Sequence, residues 1–228
     1  MKRISSGSKD FDEFLEGGYE TDIVSTIYGP SGSGKTNLCL LAAISVVNSG
    51  KKVIYVDTEG GISVERLQQL SKESVKVLEN CLFLRPKSFA EQKKCFGQLQ
   101  KIVDDKIGLI IVDTVAMLYR VERQQSYDPY EIDNELSVQI SQLAEIARMK
   151  KIPVIITNQV YDRMGKDGVQ MVGGDLLKYS SKCLLELQNG YNNKRIALLR
   201  KHRSISEGKE FVFEIVKEGI LSIKPRRQ

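Results

Sequence analysis

The sequence predicts an α/β protein with a mostly parallel central sheet, helices on both faces and a C-terminal, partly antiparallel extension. Three observations predict it. Between Ile23 and Thr157 apolar strands alternate with amphipathic helices. A glycine-rich turn joins the first of those strands directly to a helix. After Gly174 short strands follow one another with turn residues between them. Strand-helix alternation implies parallel strands covered on both sides, because each crossover lays a helix on a face.

Ile23 to Tyr28 is an apolar strand that runs into Gly29, Pro30, Ser31, Gly32, Ser33, Gly34, Lys35 and Thr36, and Asn37 to Val47 continues as a helix. Gly-x-x-x-x-Gly-Lys-Thr between a strand and a helix is a phosphate-binding loop. Its glycines let the chain turn with backbone N–H groups pointing inward, Lys35 can reach terminal phosphates, and the Thr36 hydroxyl can hold Mg²⁺. The helix N-terminus adds orphan N–H groups and the positive end of the macrodipole.

Lys52–Asp57 reads as a strand, Ser63–Leu78 as a helix and Cys81–Leu84 as a strand. Ser88–Val103 is a helix opened by a capping box, Ser88 with Glu91. Leu109–Asp113 is a buried strand, and Pro129–Lys150 is a helix with Asp128 as N-cap and Pro129 in its first turn. Pro153–Thr157 is the next strand. The strands Cys183–Leu187, Arg195–Leu199, Phe211–Val216 and Ile220–Ile223 make the extension. Tyr127–Asp128 and Tyr161–Gly174 are expected to be loops, the latter carrying four glycines.

A chain of 228 residues suits one α/β core, so a single domain spanning 1–228 is expected. Its net charge of +5 is uneven: residues 191–228 hold ten Lys or Arg against four Glu, so the rest carries about minus one. That C-terminal excess reads equally as a solvated surface or as an anion-binding face. The four cysteines lack C-x-x-C spacing, and three of them sit in apolar stretches, as small core hydrophobes of a reducing compartment would. No apolar run is long enough to span a bilayer and no N-terminal signal pattern is present, so a cytoplasmic protein is expected. His202 is the only histidine, which rules out a His-pair metal site.

Ligands of parallel α/β sheets bind beyond the carboxyl ends of the strands. Asp113 leaves a buried strand there and suits the surroundings of Mg²⁺ beside Thr36. Glu59, after Val-Asp-Thr, could orient or deprotonate an attacking water, with Asp57 as the competing candidate. Gln159 could sense a γ-phosphate and pass its presence to the following loop, or be an ordinary strand-capping amide.

Across nearly its full length the chain resembles the core ATPase domain of the RecA/RadA recombinase family, in the form of a short archaeal paralogue. The resemblance is carried by Ser5-Ser6-Gly7-Ser8 with Gly17-Gly18, Gly29 to Thr36, Asp57-Thr58-Glu59-Gly60 with Glu65-Arg66, Tyr119-Arg120 with Glu122, Thr157-Asn158-Gln159-Val160 with Arg163, Gly173-Gly174, Lys194-Arg195-Ile196-Ala197 and Glu207-Gly208. It implies a RecA-like core with a mixed sheet, with ATP, Mg²⁺ and DNA as ligands. It further implies Glu59 polarising water, Arg66 stacking on adenine, and DNA-facing loops at Arg120–Asp128, with Arg120 and Arg123, and at Tyr161–Val172, with Arg163 and Lys166.

Departures from the family pattern qualify those expectations. The first core strand begins some twenty residues from Met1, so the family's N-terminal helical DNA-binding domain is expected to be absent. No Phe is followed by Ala at the third position, which puts the family's Phe-x-x-Ala mode of filament assembly in doubt. Asp175 stands where relatives carry His. An ungapped count from Arg195 puts Lys201-His202-Arg203 where relatives place an Asp-Ser-Pro cap over a neighbour's ATP. Lys201 there would either contact phosphate across a subunit interface or face solvent. The resemblance thus implies an ATP- and DNA-binding accessory or mediator of homologous recombination and repair, with weak ATPase activity. It would act at the nucleoid on single-stranded and also double-stranded DNA, as a small homo-oligomer or beside a RadA-type recombinase. The alternative is a nucleotide-gated interaction protein in which turnover is incidental. Without a second domain as platform, a kinase or helicase motor has no support.

Overall fold

The computed structural model describes residues 2–162 and 169–223. A small antiparallel pair, β1 (Arg3–Ile4) and β2 (Tyr19–Glu20), brackets α1 (Lys9–Phe14), whose N-cap Ser8 accepts from the Phe11 N–H. Burial of Phe11 and Phe14 against Phe211, with ring centroids 5.3 and 5.6 Å away, fastens this segment to the end of the chain.

The core elements follow as β3 (Val24–Gly29), α2 (Lys35–Asn48), β4 (Lys52–Asp57), α3 (Val64–Leu70), α4 (Ser74–Asn80), β5 (Cys81–Leu84), α5 (Phe89–Ile102), β6 (Ile107–Asp113), α6 (Met117–Gln125), α7 (Pro129–Lys150) and β7 (Val154–Asp162). Then come β8 (Val169–Met171), α8 (Gly174–Ser180), β9 (Cys183–Asn189), β10 (Lys194–His202), β11 (Glu210–Val216) and β12 (Gly219–Ser222). The main sheet runs β12-β11-β10-β9-β3-β7-β6-β4-β5, and β8 pairs with β7. Pairs from β9 through β5 are parallel, whereas β9 to β12 form an antiparallel meander. This is a RecA-like α/β core.

Alternation along the strands feeds two cores. Ile27, Tyr55, Ile111 and Leu185 face α2, while Tyr28, Ile54, Val112 and Ile156 face α5 and α7. Helix α2 is apolar nearly all round, as its burial under the sheet and the C-terminal strands requires. Asp128 caps α7 by accepting from Tyr130 and Glu131 at 3.0 and 3.2 Å, with Pro129 at the start as expected. The cysteines are all free thiols; Cys39, Cys81 and Cys183 are buried.

Several expected elements take a different form. The helix expected over 63–78 is two, because Ser71 adopts extended backbone and its hydroxyl accepts from the Glu73 N–H. At α5, Ser88 caps Glu91 N, but the Glu91 carboxylate accepts from Lys87 N instead of completing the box on Ser88. Most of the loop expected at 120–128 is α6, an exposed helix that buries only Leu118 and Tyr119. Within 161–174, β7 runs on to Asp162 and the chain returns as β8, so part of this segment is a β-ribbon.

Among the described residues, part of the basic excess of the last segment is paired within the chain. Arg200 pairs with Glu186 at 2.7 Å, Arg203 with Glu20 and Asp22, and Lys209 with Glu16. Glu20 is buried and also takes bonds from Arg3 and Ser204, which offset its desolvation and hold its carboxyl below the usual range. Among the described residues no helix is long and apolar enough to cross a membrane.

Candidate nucleotide site

The carboxyl ends of β3, β4, β6 and β7 meet around one cavity of about 300 Å³. Strand register sets Gly29 beside Gln159 and Asp57 beside Asp113. From the candidates, Ser31, Gly32, Gly34, Lys35, Thr36, Asn37, Glu59, Arg66, Asp113 and Gln159 line the cavity; Gly29, Pro30 and Ser33 shape the turn behind it.

Gly32 and Gly34 take φ of 71° and 101°, left-handed backbone that lets the loop close and α2 begin at Lys35. The Lys35 ammonium lies within the loop and donates to the carbonyls of Gly29 and Pro30 at 2.8 and 2.9 Å. Burial lowers its pKa, opposed by the negative charge of Asp113 and Glu59. Asp113 is held from two sides: Oδ2 accepts from the Tyr55 hydroxyl at 2.9 Å and Oδ1 from the Thr157 hydroxyl.

Glu59 is oriented by two donors on one oxygen. Gln159 Nε2 reaches Oε1 at 2.8 Å and the Thr114 hydroxyl reaches it at 3.2 Å. Thr114 is itself fixed, because its N–H donates to Thr58 Oγ1 and its carbonyl accepts from that hydroxyl. Asp57, the competitor, is buried and its Oδ1 accepts from the N–H groups of Gly60 and Gly61, so it shapes the turn that carries Glu59.

Arg66, on α3, donates through Nε and Nη2 to Asn37 Oδ1 at 2.9 and 2.6 Å, through Nη2 to the Val216 carbonyl at 2.8 Å and through Nη1 to the Lys217 carbonyl at 3.0 Å. Its guanidinium plane is therefore set before any base could stack on it. Lys201 lies elsewhere, on β10, where its amine donates to the Lys178 carbonyl at 2.6 Å, so it does not reach the phosphate loop of its own chain. Arg203 is likewise committed to Glu20 and Asp22.

Arg120 is exposed on α6 and lines a small void with Glu59, Thr114, Asn158 and Gln159. Arg123 pairs with Asp133 at 2.7 Å. Both arginines also line a cleft of about 630 Å³ between α6 and the turn at Gly173–Gly174. Arg163 and Lys166 lie outside the described residues.

The residues fit a nucleotide. Ser33 Oγ and Asn37 Nδ2 are buried without a hydrogen-bond partner among the described residues, and the loop leads into the N-terminus of a long helix. Thr36 and Asp113 line the same cavity and could hold a phosphate-bound Mg²⁺ between them. Sequence reasoning gave no site role to Thr114, Ile215 or Arg195, although Arg195 lies in a stretch that carries the family resemblance. Thr114 follows a strand-end Asp like any turn residue, and Ile215 and Arg195 come from the extension, more than 150 residues away in sequence.

The model of the Rad51 family matches residues 1–223. The chain belongs to the Rad51 family. Relatives include the DNA repair and recombination protein RadB of Methanobrevibacter smithii, 42% identical over 218 residues and covering 92% of each chain. That of Methanococcoides burtonii is 38% identical over 220 residues, 96% of this chain and 97% of the other. A crystal structure of the RadB recombinase superposes with a TM-score of 0.83 at 35% identity, over 97% of this chain and all of that one.

Proposed function

We propose that the chain, acting as one RecA-like core, binds MgATP and DNA and serves homologous recombination and repair in the cytoplasm as an accessory or mediator with weak ATPase activity. The observation that carries this reading is the placement of Glu59, held by Gln159 and Thr114, on the same cavity as the phosphate loop. Family membership and the relatives' names support the DNA and recombination part.

In this reading the loop amides and Lys35 bind the phosphates, which requires the ammonium to leave the Gly29 and Pro30 carbonyls. Thr36 and Asp113 would hold the metal. Bound Mg²⁺ would supply charge neutralisation between the phosphates. Glu59, with Oε1 taken by its two donors, has Oε2 left to orient a water and accept its proton. Arg66 offers its face to the base. Arg120, Arg123, Arg163 and Lys166 contact DNA.

A second reading, a nucleotide-gated interaction protein, draws on the link from Glu59 through Gln159 to the β7–β8 ribbon, where the Gln159 carbonyl accepts from Val172 N and Asn158 donates to the Val172 carbonyl. Such a link lets a ribbon respond to nucleotide without turnover. Titrating single-stranded DNA with MgATP, MgADP and no nucleotide, beside a steady-state ATPase assay with and without DNA, tests both. DNA-stimulated turnover supports the first reading; nucleotide-dependent binding without turnover supports the second. Nucleotide-independent DNA binding with no turnover overturns both.

A further inference from the structure

The antiparallel extension backs the phosphate loop along its length. A Cβ at Gly29 would lie 2.3 Å from the Leu187 carbonyl oxygen of β9, and one at Gly34 would lie 3.1 Å from Ile215 Cδ1 of β11. Between these contacts, Arg195 of β10 donates from Nε to the Gly32 carbonyl at 2.9 Å. Asn189, its partner across the β9–β10 ladder, reaches the Ser31 carbonyl in a longer contact of 3.4 Å. The loop's four successive carbonyls from Gly29 to Gly32 are thus all engaged, the first two by Lys35 from within and the last two by the extension from outside.

The two halves of that arrangement differ in what nucleotide does to them. Lys35 has to release its carbonyls to reach phosphate, whereas Arg195 stands outside the cavity lining and can keep its hold. Gly32 needs holding. Its φ is 71° and nothing lies within 4 Å of where its Cβ would be, so the following peptide is held by hydrogen bonds and not by packing: a long one from Ser33 N–H to the Pro30 carbonyl at 3.3 Å, and the shorter one from Arg195 to its own carbonyl. Because that peptide is planar, fixing its carbonyl fixes the whole unit. A second bond, from Arg195 Nη1 to the Lys194 carbonyl at 2.9 Å, aims the guanidinium.

We infer that Arg195 is a positioning residue for nucleotide: through the Gly32 carbonyl it holds the phosphate loop in its anion-binding shape without touching the ligand. The inference rests on the reading of this loop as an ATP site. A loop already ordered loses less entropy on binding, so the effect falls on affinity for phosphate-bearing ligands. Lysine cannot substitute, since it lacks the rigid fork that places Nε–H.

Calorimetric titration of MgATP, MgADP and adenosine into the wild-type chain, Arg195→Met and Arg195→Lys is the test. Both variants are expected to bind ATP and ADP about tenfold more weakly, as loss of one charged hydrogen bond implies, with adenosine binding unchanged. If Arg195→Lys binds ATP like the wild type, positive charge and not the held carbonyl is what counts, and the inference falls. It falls equally if either variant loses adenosine along with ATP, because the defect is then general. Should Arg195→Met not fold, the lysine variant, which keeps charge and stem, decides alone. A wild-type chain that binds neither ATP nor ADP would overturn the ATP reading itself, a result distinct from wild-type binding with unaffected variants.

Discussion

Gln159 donates to Glu59 across 2.8 Å and so ties β7 to the turn after β4. The carboxylate is exposed on a turn containing two glycines, and without Gln159 and Thr114 its rotamer would be free. Glu59→Gln is therefore expected to keep MgATP affinity within about twofold and to lose at least about a hundredfold in turnover, the usual weight of a positioned base. Single-turnover hydrolysis checks it; equal rates would assign Glu59 a structural role only.

Lys35→Ala removes the motif's only positive charge and is expected to weaken MgATP binding by about 10- to 100-fold. Because the bonds of the Lys35 amine among the described residues go to two loop carbonyls, the far-ultraviolet circular dichroism should not change. An unaltered ATP dissociation constant in the folded variant would refute the site.

Arg120 is exposed at the junction of the Glu59–Gln159 link and the α6 cleft. If it contacts DNA phosphate, Arg120→Ala should reduce the slope of log affinity against log salt by about 0.7 on single strands. Fluorescence anisotropy at several salt concentrations measures this. An unchanged slope would move the DNA surface elsewhere.

Gly29→Ala would set a methyl group 2.3 Å from the Leu187 carbonyl and is expected to cost about 3 kcal/mol, because β9 has to move away from β3. Denaturant titration reads it directly. A stable variant would mean that the join of the extension to β3 is looser than its packing suggests.

His202 is half-buried and its Nδ1 accepts from Ser204 N at 3.1 Å, a bond only the neutral ring can accept. Burial, with help from Arg3 and Arg203, holds its pKa below the ordinary 6.5. The native state therefore binds its proton later than the unfolded chain, and stability falls as pH drops through 6.5 toward the folded value. His202→Asn should lessen the loss between about pH 7.5 and 5.5. Glu20 and Glu186, whose pKa values are lowered in the fold, act in a separate window below 4.5. An identical pH dependence in the variant would contradict this assignment.

Elements with strong local signals were legible from residues alone. Lys52–Asp57 and Cys81–Leu84 are strands with the expected bounds, and Pro129–Lys150 is a helix because Asp128 and Pro129 mark its start and its apolar period persists. Weak periodicity hid the others. Helix α6 buries two side chains, and α8 opens at Gly173–Gly174, which reads as a turn. The phosphate loop, Glu59 and Gln159 followed from spacing and strand ends, but Thr114 and Arg195 depend on which strands lie side by side. That order is decided by tertiary packing, and an arginine in the antiparallel extension carries no local mark of the loop it holds.

The contact between Arg195 and Gly32 spans 163 residues, and this has a consequence for how the molecule is made. Synthesis from the N-terminus delivers the complete glycine-rich loop and its helix early, while the strands that brace them are still untranslated. A nascent chain released before residue 195, or one clipped there, would carry every residue of the phosphate motif and still lack the scaffold that shapes it. Competence for nucleotide would then arrive late in the life of each polypeptide, close to the completion of the sheet, and only whole chains would enter the pool that can bind it.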